Sequence, residues 1–131
     1  SLLEAAVFGT RAGRAAAAEP GAAGPLSAVT AGDLPEPALQ ALRQAMSAEA
    51  GVTRDAAGLG RLLDLIATLE AAHGRSAALV AARFVAAGAL ARCESRGAHY
   101  RTDFPEADEP PRRAFVTFDD VARSALKYAA E

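Results

Sequence analysis

The middle of this chain repeats apolar residues at helical spacing, and this pattern limits what the chain can fold into. Leucines and an isoleucine recur at intervals of three and four between Leu59 and Leu69, which places them on one face of an α-helix. Similar stripes run from Leu39 to Met46 and from Leu79 to Ala91. Because short glycine-containing turns separate the stripes, they predict an all-α fold with a three-helix antiparallel bundle over about 36–100. The alternative is an open helical hairpin that docks on another domain.

An additional helix is predicted at the N-terminus. The stretch from Ser1 to Glu4 has the form of a capping box, in which a serine hydroxyl and a glutamate carboxylate each bind the backbone amide of the other residue. Pro20 ends this helix, and the prolines and glycines that follow indicate a linker over 20–35. The predicted units are therefore a helix over 1–19, the linker, and a helical domain over 36–131.

The ends of the bundle helices are predicted from their capping residues. Thr53 is expected to begin the third helix of the chain and Ser76 the fourth. Gly97 is expected to close the fourth helix, because glycine readily adopts the left-handed conformation found at helix C-termini. Arg92 and Arg96 would then lie on its last turns, where cations meet unpaired carbonyl groups.

One arginine and two glycines interrupt the apolar stripes, and we make a separate prediction for each kind of residue. Arg83 is expected to lie away from the apolar face of the fourth helix. Gly58 and Gly60 each weaken the first turns of the third helix by up to about 1 kcal/mol relative to alanine. A close helix contact or a local break is therefore expected at these glycines.

Beyond the bundle, an acidic and proline-rich connector is expected to be extended and solvated. The connector runs from Glu106 to Pro111. A short extended segment is then predicted over 115–118. It is followed by a helix that Thr117 and Asp120 cap and that continues through Ala129.

The composition bounds the classes of function. A length of 131 residues suits one domain, and a net charge of −2 without a basic run gives no indication of nucleic-acid binding. The longest apolar runs are alanine tracts well short of a membrane span, so we expect a soluble, cytoplasmic protein with no membrane partner.

The single cysteine, Cys93, excludes an internal disulfide and is expected to be a small core residue. The chain begins at Ser1 without methionine, and we expect it to be a piece of a longer protein.

Chemically reactive side chains concentrate between Glu94 and Pro105. Spacing alone leaves two interpretations open: a buried cluster of salt bridges and hydrogen bonds, or a site that binds a carboxylate or handles a proton. The sequence contains no glycine-rich phosphate-binding motif, and His73 is expected only to end a helix. The residues of this predicted polar cluster are Arg96, His99, Tyr100, Arg101 and Asp103.

Three stretches give the chain a family resemblance. They are Ser-Leu-Leu-Glu-Ala-Ala-Val-Phe-Gly over 1–9, Gly-Val-Thr-Arg-Asp over 51–55, and Cys-Glu-Ser-Arg-Gly-Ala-His-Tyr-Arg-Thr-Asp-Phe-Pro over 93–105. With these elements in this order, the chain resembles the C-terminal part of the L-aspartate oxidases, members of the succinate dehydrogenase and fumarate reductase flavoprotein family. The flavoprotein subunits of succinate dehydrogenase and fumarate reductase are the second resemblance. The Tyr-Arg-Thr-Asp-Phe-Pro ending favours the oxidases.

The resemblance implies a role within a larger flavoenzyme. The full-length parent would use FAD to convert L-aspartate to iminoaspartate, the first step of quinolinate and NAD biosynthesis. Either oxygen, which gives hydrogen peroxide, or fumarate would reoxidise the flavin. Most of the FAD site and the substrate-binding residues would lie in flavin-binding and capping domains outside this chain. Within the chain, the resemblance assigns cofactor contact only to Ser1 and Leu2, and it implies no catalytic residue and no metal ligand.

The resemblance also implies how the chain is divided. The helix over 1–19 would close the flavin-binding domain, and the helical domain over 36–131 would pack on it. The polar cluster would then be structural and would fix the loop after the fourth helix. We therefore expect the isolated chain to be inactive and unable to hold FAD tightly. The other hypotheses are a stand-alone helical interaction module and a small enzyme that uses His99 as a base.

Overall fold

A computed structural model gives the fold and describes residues 2–21, 24, 32–111 and 115–121. This part of the chain contains four long α-helices and one helical turn, so the predicted all-α fold is confirmed. None of the described helices is long and apolar enough to cross a lipid bilayer. The chain divides into two compact units, residues 1–30 and 31–131. The helices are α1 (Leu2–Ala18), α2 (Glu36–Glu49), α3 (Ala56–His73) and α4 (Ala77–Ala91).

The N-terminal unit contains α1, a helix of 17 residues, none of which is buried. Its apolar side chains, Leu3 and Phe8 among them, are exposed. The helix ends at Ala18, shortly before Pro20, as the sequence predicts. Ser1 lies outside the described residues, so the capping box at the start of this helix stays a prediction.

The second unit is a three-helix bundle built on α3, which packs against both α2 and α4. The leucine and isoleucine stripe explains the central position of α3, since Leu59, Leu62 and Ile66 are almost fully buried. Leu34, just before α2, adds to the same core. The buried core cluster consists of Leu34, Ala38, Leu42, Leu62, Leu63, Ile66, Leu69, Leu79, Ala82 and Ala86.

The start of α3 differs from the prediction, whereas the start of α4 agrees with it. Asp55 is the N-cap of α3, and Thr53 is not. The Asp55 backbone is extended, and its carboxylate accepts a hydrogen bond from the Gly58 amide at 2.7 Å. A side chain directly before the first helical residue reaches the orphan amides, which a hydroxyl two residues earlier does not. Ser76 caps α4 as predicted, and its hydroxyl accepts from the Leu79 amide at 3.3 Å.

Gly97 does not close α4, and this prediction is wrong. The helix ends at Ala91, and Gly97 adopts a φ of 61° in a tight turn farther along the chain. The amide and carbonyl of Arg96 pair with the carbonyl and amide of His99 across this turn, at 2.8 and 3.1 Å. The glycine that does end a helix with a positive φ is Gly74, after α3.

Arg83 and Cys93 lie in the opposite environments from those predicted. Arg83 is buried, and its guanidinium forms a bidentate pair with Glu70 of α3 at 3.1 and 2.6 Å. This carboxylate is the partner that a buried cation requires. Cys93 is exposed and lies just after the end of α4.

The two glycines in the first turns of α3 differ in their surroundings. A Cβ atom at Gly58 would meet the carboxylate of Glu49, the flexible end of a side chain on α2, so α3 contacts α2 there through that side chain. Gly60 has open space where a Cβ atom would lie, and nothing in the structure explains it. The helix is unbroken through both positions.

A further helical turn begins at Phe118, after the bundle. Thr117 and Asp120 cap it as predicted. The Asp120 carboxylate accepts from the Thr117 amide at 2.9 Å, and the Thr117 hydroxyl accepts from the Asp120 amide at 3.3 Å. The preceding residues, 115–117, have no regular secondary structure. The predicted continuation of the helix beyond 121 lies outside the described residues.

Truncation of a core residue on α3 tests the packing of the bundle. We expect Ile66→Ala to lower the free energy of unfolding by about 2–5 kcal/mol, because it leaves a cavity in place of a fully buried side chain. The matched control is Val52→Ala, since Val52 is 85% exposed, and it should change this free energy by less than about 0.5 kcal/mol. Urea unfolding followed by circular dichroism measures both. Equal effects would contradict the position of Ile66 in the core.

Candidate functional site

The predicted polar cluster lies where the start of α3 meets the end of α4. Two stretches of backbone come together here, the loop before α3 and the residues after α4. The Arg54 amide donates to the Tyr100 carbonyl at 3.3 Å, and the Thr102 amide donates to the Arg54 carbonyl at 2.9 Å. Arg54 Nη2 also donates to the Ala98 carbonyl at 3.1 Å. The loop before α3 is thereby attached to the segment that contains the cluster.

Arg101 is the most deeply buried side chain of the cluster, with 1% exposure. Its Nη1 donates to the carbonyl oxygens of Ala89 and Leu90 at 2.9 and 3.0 Å, and to that of Arg92 at 3.4 Å. These carbonyls lie at the end of α4, where the helix has no amides left to bind them. The guanidinium replaces the missing amides and sets its positive charge against the negative end of the helix dipole.

Asp103 binds the other side of the Arg101 guanidinium. Arg101 Nε and Nη2 each donate to one carboxylate oxygen of Asp103 at 2.7 Å, which is the bidentate geometry that arginine and carboxylate favour. The carboxylate also accepts from the amide of Ala56, the first residue of α3, at 3.0 Å. The bonds from Arg101, with that from Ala56, hold the pKa of Asp103 well below its ordinary value. A chain of hydrogen bonds thus runs from the end of α4 to the start of α3.

Ser95 and Phe104 hold the backbone around Arg101. The Ser95 hydroxyl accepts from the Arg101 amide at 2.9 Å and donates to the Phe104 carbonyl at 2.7 Å. The Phe104 ring centre lies 5.1 Å from the guanidinium carbon of Arg101, which is a cation–π distance. The segment from Ser95 to Phe104 therefore folds back on itself around the buried guanidinium.

Arg96 belongs to a second group of charges, centred on the buried carboxylate of Glu94. Glu94 is 5% exposed and accepts from Arg92 Nη2 at 2.5 Å, from Arg96 Nε at 3.0 Å and from the Asp108 amide at 3.0 Å. The Asp108 amide, followed by the two arginines and against the opposing effect of burial, lowers the pKa of Glu94 to about 2. The carboxylate is therefore ionised at neutral pH.

The acidic connector is exposed, as predicted for a solvated charge run, and hydrogen bonds to its backbone attach it to this second group. The Ser95 amide donates to the Glu106 carbonyl at 2.8 Å. Arg96 Nη2 donates to the Asp108 carbonyl at 2.5 Å and lies 3.5 Å from the Glu109 carboxylate. The connector residues are exposed, while hydrogen bonds to their backbone carbonyls hold them in place.

His99 and Tyr100 lie at the side of the cluster. His99 Nε2 is 3.1 Å from the Arg92 carbonyl. Because a carbonyl only accepts hydrogen bonds, this ring nitrogen carries a proton. Tyr100 is 42% exposed, and it contributes its backbone carbonyl, which binds the Arg54 amide.

The predicted cluster residues do not form one group in the structure. Arg101 and Asp103 are in direct contact, whereas Arg96 joins Glu94. The sequence-based cluster did not include Glu94 or Arg54. Glu94 has a local signal, since it stands between two arginines. Arg54 has none, because only folding brings the loop before α3 to this segment.

The geometry favours a structural cluster over a ligand site. Every nitrogen of the Arg101 guanidinium donates to a protein oxygen, and the side chain is closed to solvent. A substrate carboxylate would have to displace Asp103 to reach it. Among the described residues, no group of three or more histidine, cysteine, aspartate or glutamate side chains is arranged to hold a metal ion.

The residues that the resemblance assigns to the cofactor lie in the N-terminal unit. Leu2 is the first residue of α1 and is 93% exposed, while Ser1 lies outside the described residues. The first turn of a helix offers unpaired amides and a partial positive charge. A helix N-terminus is not by itself a cofactor pocket, and cofactor contact at Ser1 and Leu2 stays a prediction.

The sequence matches one protein family and several individual proteins. The family described as fumarate reductase flavoprotein C-term matches residues 67–127. The chain is 60% identical over its whole length to an L-aspartate oxidase of Caulobacter vibrioides, and 44% identical over 92% of its length to one of Mycobacterium leprae. The chain is therefore similar to the C-terminal part of these proteins.

The chain is short relative to these flavoproteins. It spans 26% of the length of the Caulobacter vibrioides relative and 25% of that of the Mycobacterium leprae relative. The flavoprotein match includes α4 and all five residues of the predicted polar cluster. No solved structure gives a significant match.

Removal of the Arg101 guanidinium should lower the stability of the bundle. We expect Arg101→Ala to lower the free energy of unfolding by at least about 3 kcal/mol, because Asp103 and the last carbonyls of α4 lose their donor. Arg101→Lys should restore only part of this stability, since an ammonium group cannot reproduce the bidentate geometry. Urea unfolding measures both variants.

The control for Arg101 is an arginine in an exposed ion pair. Arg61→Ala removes a pair with Glu49 in which the arginine side chain is 63% exposed. It should cost no more than about 1 kcal/mol. If Arg101→Ala and Arg61→Ala lower the free energy of unfolding by similar amounts, the proposed role of Arg101 at the helix ends is contradicted.

Glu94 should make the stability of the bundle fall in acid. Its pKa is about 2 in the folded chain against an ordinary value of 4.5. The ionised carboxylate therefore stabilises the fold fully above pH 4.5, and this contribution is lost as the pH falls from 4.5 towards 2. Glu94→Gln should be less stable at neutral pH, and its urea midpoint should decrease less between about pH 5 and pH 3.

The control for the acid effect is Asp64→Asn, at an exposed carboxylate. This variant should keep the wild-type decrease of the urea midpoint with falling pH. If the urea midpoint of Glu94→Gln also decreases as much as that of the wild type, Glu94 does not cause the loss of stability in acid.

Proposed function

We propose that this chain is the helical C-terminal region of a flavin-dependent L-aspartate oxidase. The observation that carries this proposal is the 60% identity over the whole chain to a protein named L-aspartate oxidase. The complete cytoplasmic protein would convert L-aspartate and oxygen to iminoaspartate and hydrogen peroxide, in quinolinate and NAD biosynthesis. The chemistry supplied by bound FAD is the uptake of two electrons from the substrate and their transfer to oxygen.

The role that we propose for the chain itself is structural. The helix over 1–19 closes the flavin-binding domain, a linker over 20–35 follows, and the helical domain over 36–131 packs on the flavin-binding domain. Ser1 and Leu2 contribute one edge of the flavin site, since a helix N-terminus stabilises negative charge on a bound ligand. The rest of that site, with the substrate-binding residues, belongs to the flavin-binding and capping domains.

The described residues support a structural role in two ways. The buried guanidinium of Arg101 and the carboxylate of Asp103 bind each other and the ends of two helices, so they offer little to a substrate. The exposed apolar side chains of α1, such as Phe8, are those expected of a helix that completes a larger domain.

A succinate dehydrogenase or fumarate reductase flavoprotein subunit is the second candidate. The match of residues 67–127 to the fumarate reductase flavoprotein family favours it. The substrate distinguishes the two candidates, because one oxidises an amino acid and the other interconverts dicarboxylic acids without an amino group. The relatives named L-aspartate oxidase favour the first candidate.

Flavin content and oxidase activity test the proposed function. The isolated chain should be colourless after purification and should not oxidise L-aspartate, because a helix N-terminus does not make a flavin site. The complete polypeptide with FAD should release hydrogen peroxide from L-aspartate and not from succinate. Absorbance spectra and a peroxide assay measure these outcomes. A yellow isolated chain would contradict the structural role, and turnover of succinate alone would favour the second candidate.

A further inference from the structure

A short segment after the bundle folds back along α4. We call residues 115–121 the strap. A Cβ atom at Gly88 would lie 3.9 Å from a methyl carbon of Val116, and the ring centre of Phe118 lies 6.4 Å from that of Phe84. Because the earlier strap residue lies beside the later residue of α4, the strap runs antiparallel to the helix. The strap therefore covers the side of α4 that carries Phe84 and Gly88.

The contacts that attach the strap are partly open to water. The guanidinium carbon of Arg75, just before α4, lies 5.2 Å from the centre of the Phe118 ring, which is a cation–π distance. Phe118 is nevertheless 45% exposed. Val121 is 2% exposed, and it is the one buried residue of the strap as far as the structure describes it. The strap is thus attached to the bundle mainly at Phe118 and Val121.

The helical turn of the strap has hydrogen bonds of its own. The Asp120 carboxylate accepts from the Thr117 amide at 2.9 Å, and the Val121 amide donates to the Thr117 carbonyl at 3.2 Å. These bonds lie within the strap and do not depend on contact with α4. The other side of α4 contributes Leu79 and Ala86, both with 0% exposure, to the core of the bundle. A segment with few buried apolar contacts opens at a lower free energy than such a packed core.

We propose that the strap is a removable cover of α4, which opens as one unit while the bundle stays folded. Phe118 closes the strap through its ring contacts, and Val121 closes it by burial. Opening uncovers the apolar side of α4 at Phe84 and Gly88. This movement lies within the helical region and does not depend on the proposed oxidase activity.

Thiol labelling compares opening of the strap with opening of the bundle core. In the complete polypeptide with Cys93→Ser, Val121→Cys places a thiol at the buried end of the strap, and Ala86→Cys places one in the core. The native side chains are 2% and 0% exposed. Maleimide labelling under native conditions is followed by peptide-resolved mass spectrometry. The thiol at position 121 should react at least about tenfold faster than the thiol at position 86, because the strap opens without unfolding of the bundle.

Phe118→Ala tests the contact that closes the strap. It removes the ring that lies beside Phe84 and Arg75, so labelling at position 121 should become at least about threefold faster, while labelling at position 86 should not change. The matched control is Phe115→Ala, in the same strap, because the Phe115 ring is 83% exposed. It should leave both labelling rates unchanged.

Two labelling results would overturn the proposal. Equal rates at positions 121 and 86 would mean that the strap opens only when the bundle unfolds. An equal increase at both positions in Phe118→Ala would mean that the substitution lowers the stability of the whole bundle. Neither result depends on turnover, so failure to oxidise L-aspartate would remove the proposed function without deciding whether the strap opens.

Hydrogen exchange tests the strap without added cysteines. The Val121 amide should exchange at least about threefold faster in Phe118→Ala than in the wild type, because its protection depends on closure of the strap. The amides of α4 should exchange at their wild-type rates, and Phe115→Ala should change neither group. An unchanged rate at the Val121 amide in Phe118→Ala would overturn the proposal even if a cysteine variant does not fold.

Discussion

The last carbonyl groups of α4 have no helical amides to bind them, and the end of the bundle depends on how they are satisfied. Arg101 supplies the donors from a buried guanidinium. Burial of this charge in turn requires the Asp103 carboxylate. Because Asp103 also accepts from the amide of Ala56, the same hydrogen bonds reach the start of α3. The ion pair between the buried Arg101 and Asp103 therefore joins the end of α4 to the start of α3.

The ion pair explains why charged side chains, a histidine and a tyrosine occur together between Glu94 and Pro105. We propose no catalytic role for this segment. A buried cation needs donors, acceptors and a counter-ion within a few residues, and an active site needs the same groups. The contacts distinguish the two cases. The guanidinium of Arg101 and the carboxylate of Glu94 bind protein atoms that are fixed by the fold, so little of their hydrogen-bonding capacity remains for a ligand.

Polar groups at one end of the bundle are bound within the chain, whereas apolar surface along one side is uncovered. At the end near Arg101, the guanidinium of this residue and the carboxylate of Asp103 are bound within the chain, whereas Arg54 Nε and Arg92 Nε are buried without a hydrogen-bond partner. Along the groove between α2 and α4, beside Val85, apolar surface is left in contact with solvent. A region with apolar surface open along one side is suited to packing against a larger domain, as our proposed function requires.

The sequence by itself determined the helices, because periodicity and capping depend on residues within one or two turns. The burial of Ile66 and the cap at Ser76 follow from such local patterns. Tertiary structure decided where α4 ends, why Arg83 is buried, and how Arg54 reaches the segment after α4. These features depend on satisfying unpaired carbonyls and buried charges with residues that are distant in the chain. No local pattern specifies such partners, so only the folded chain identifies them.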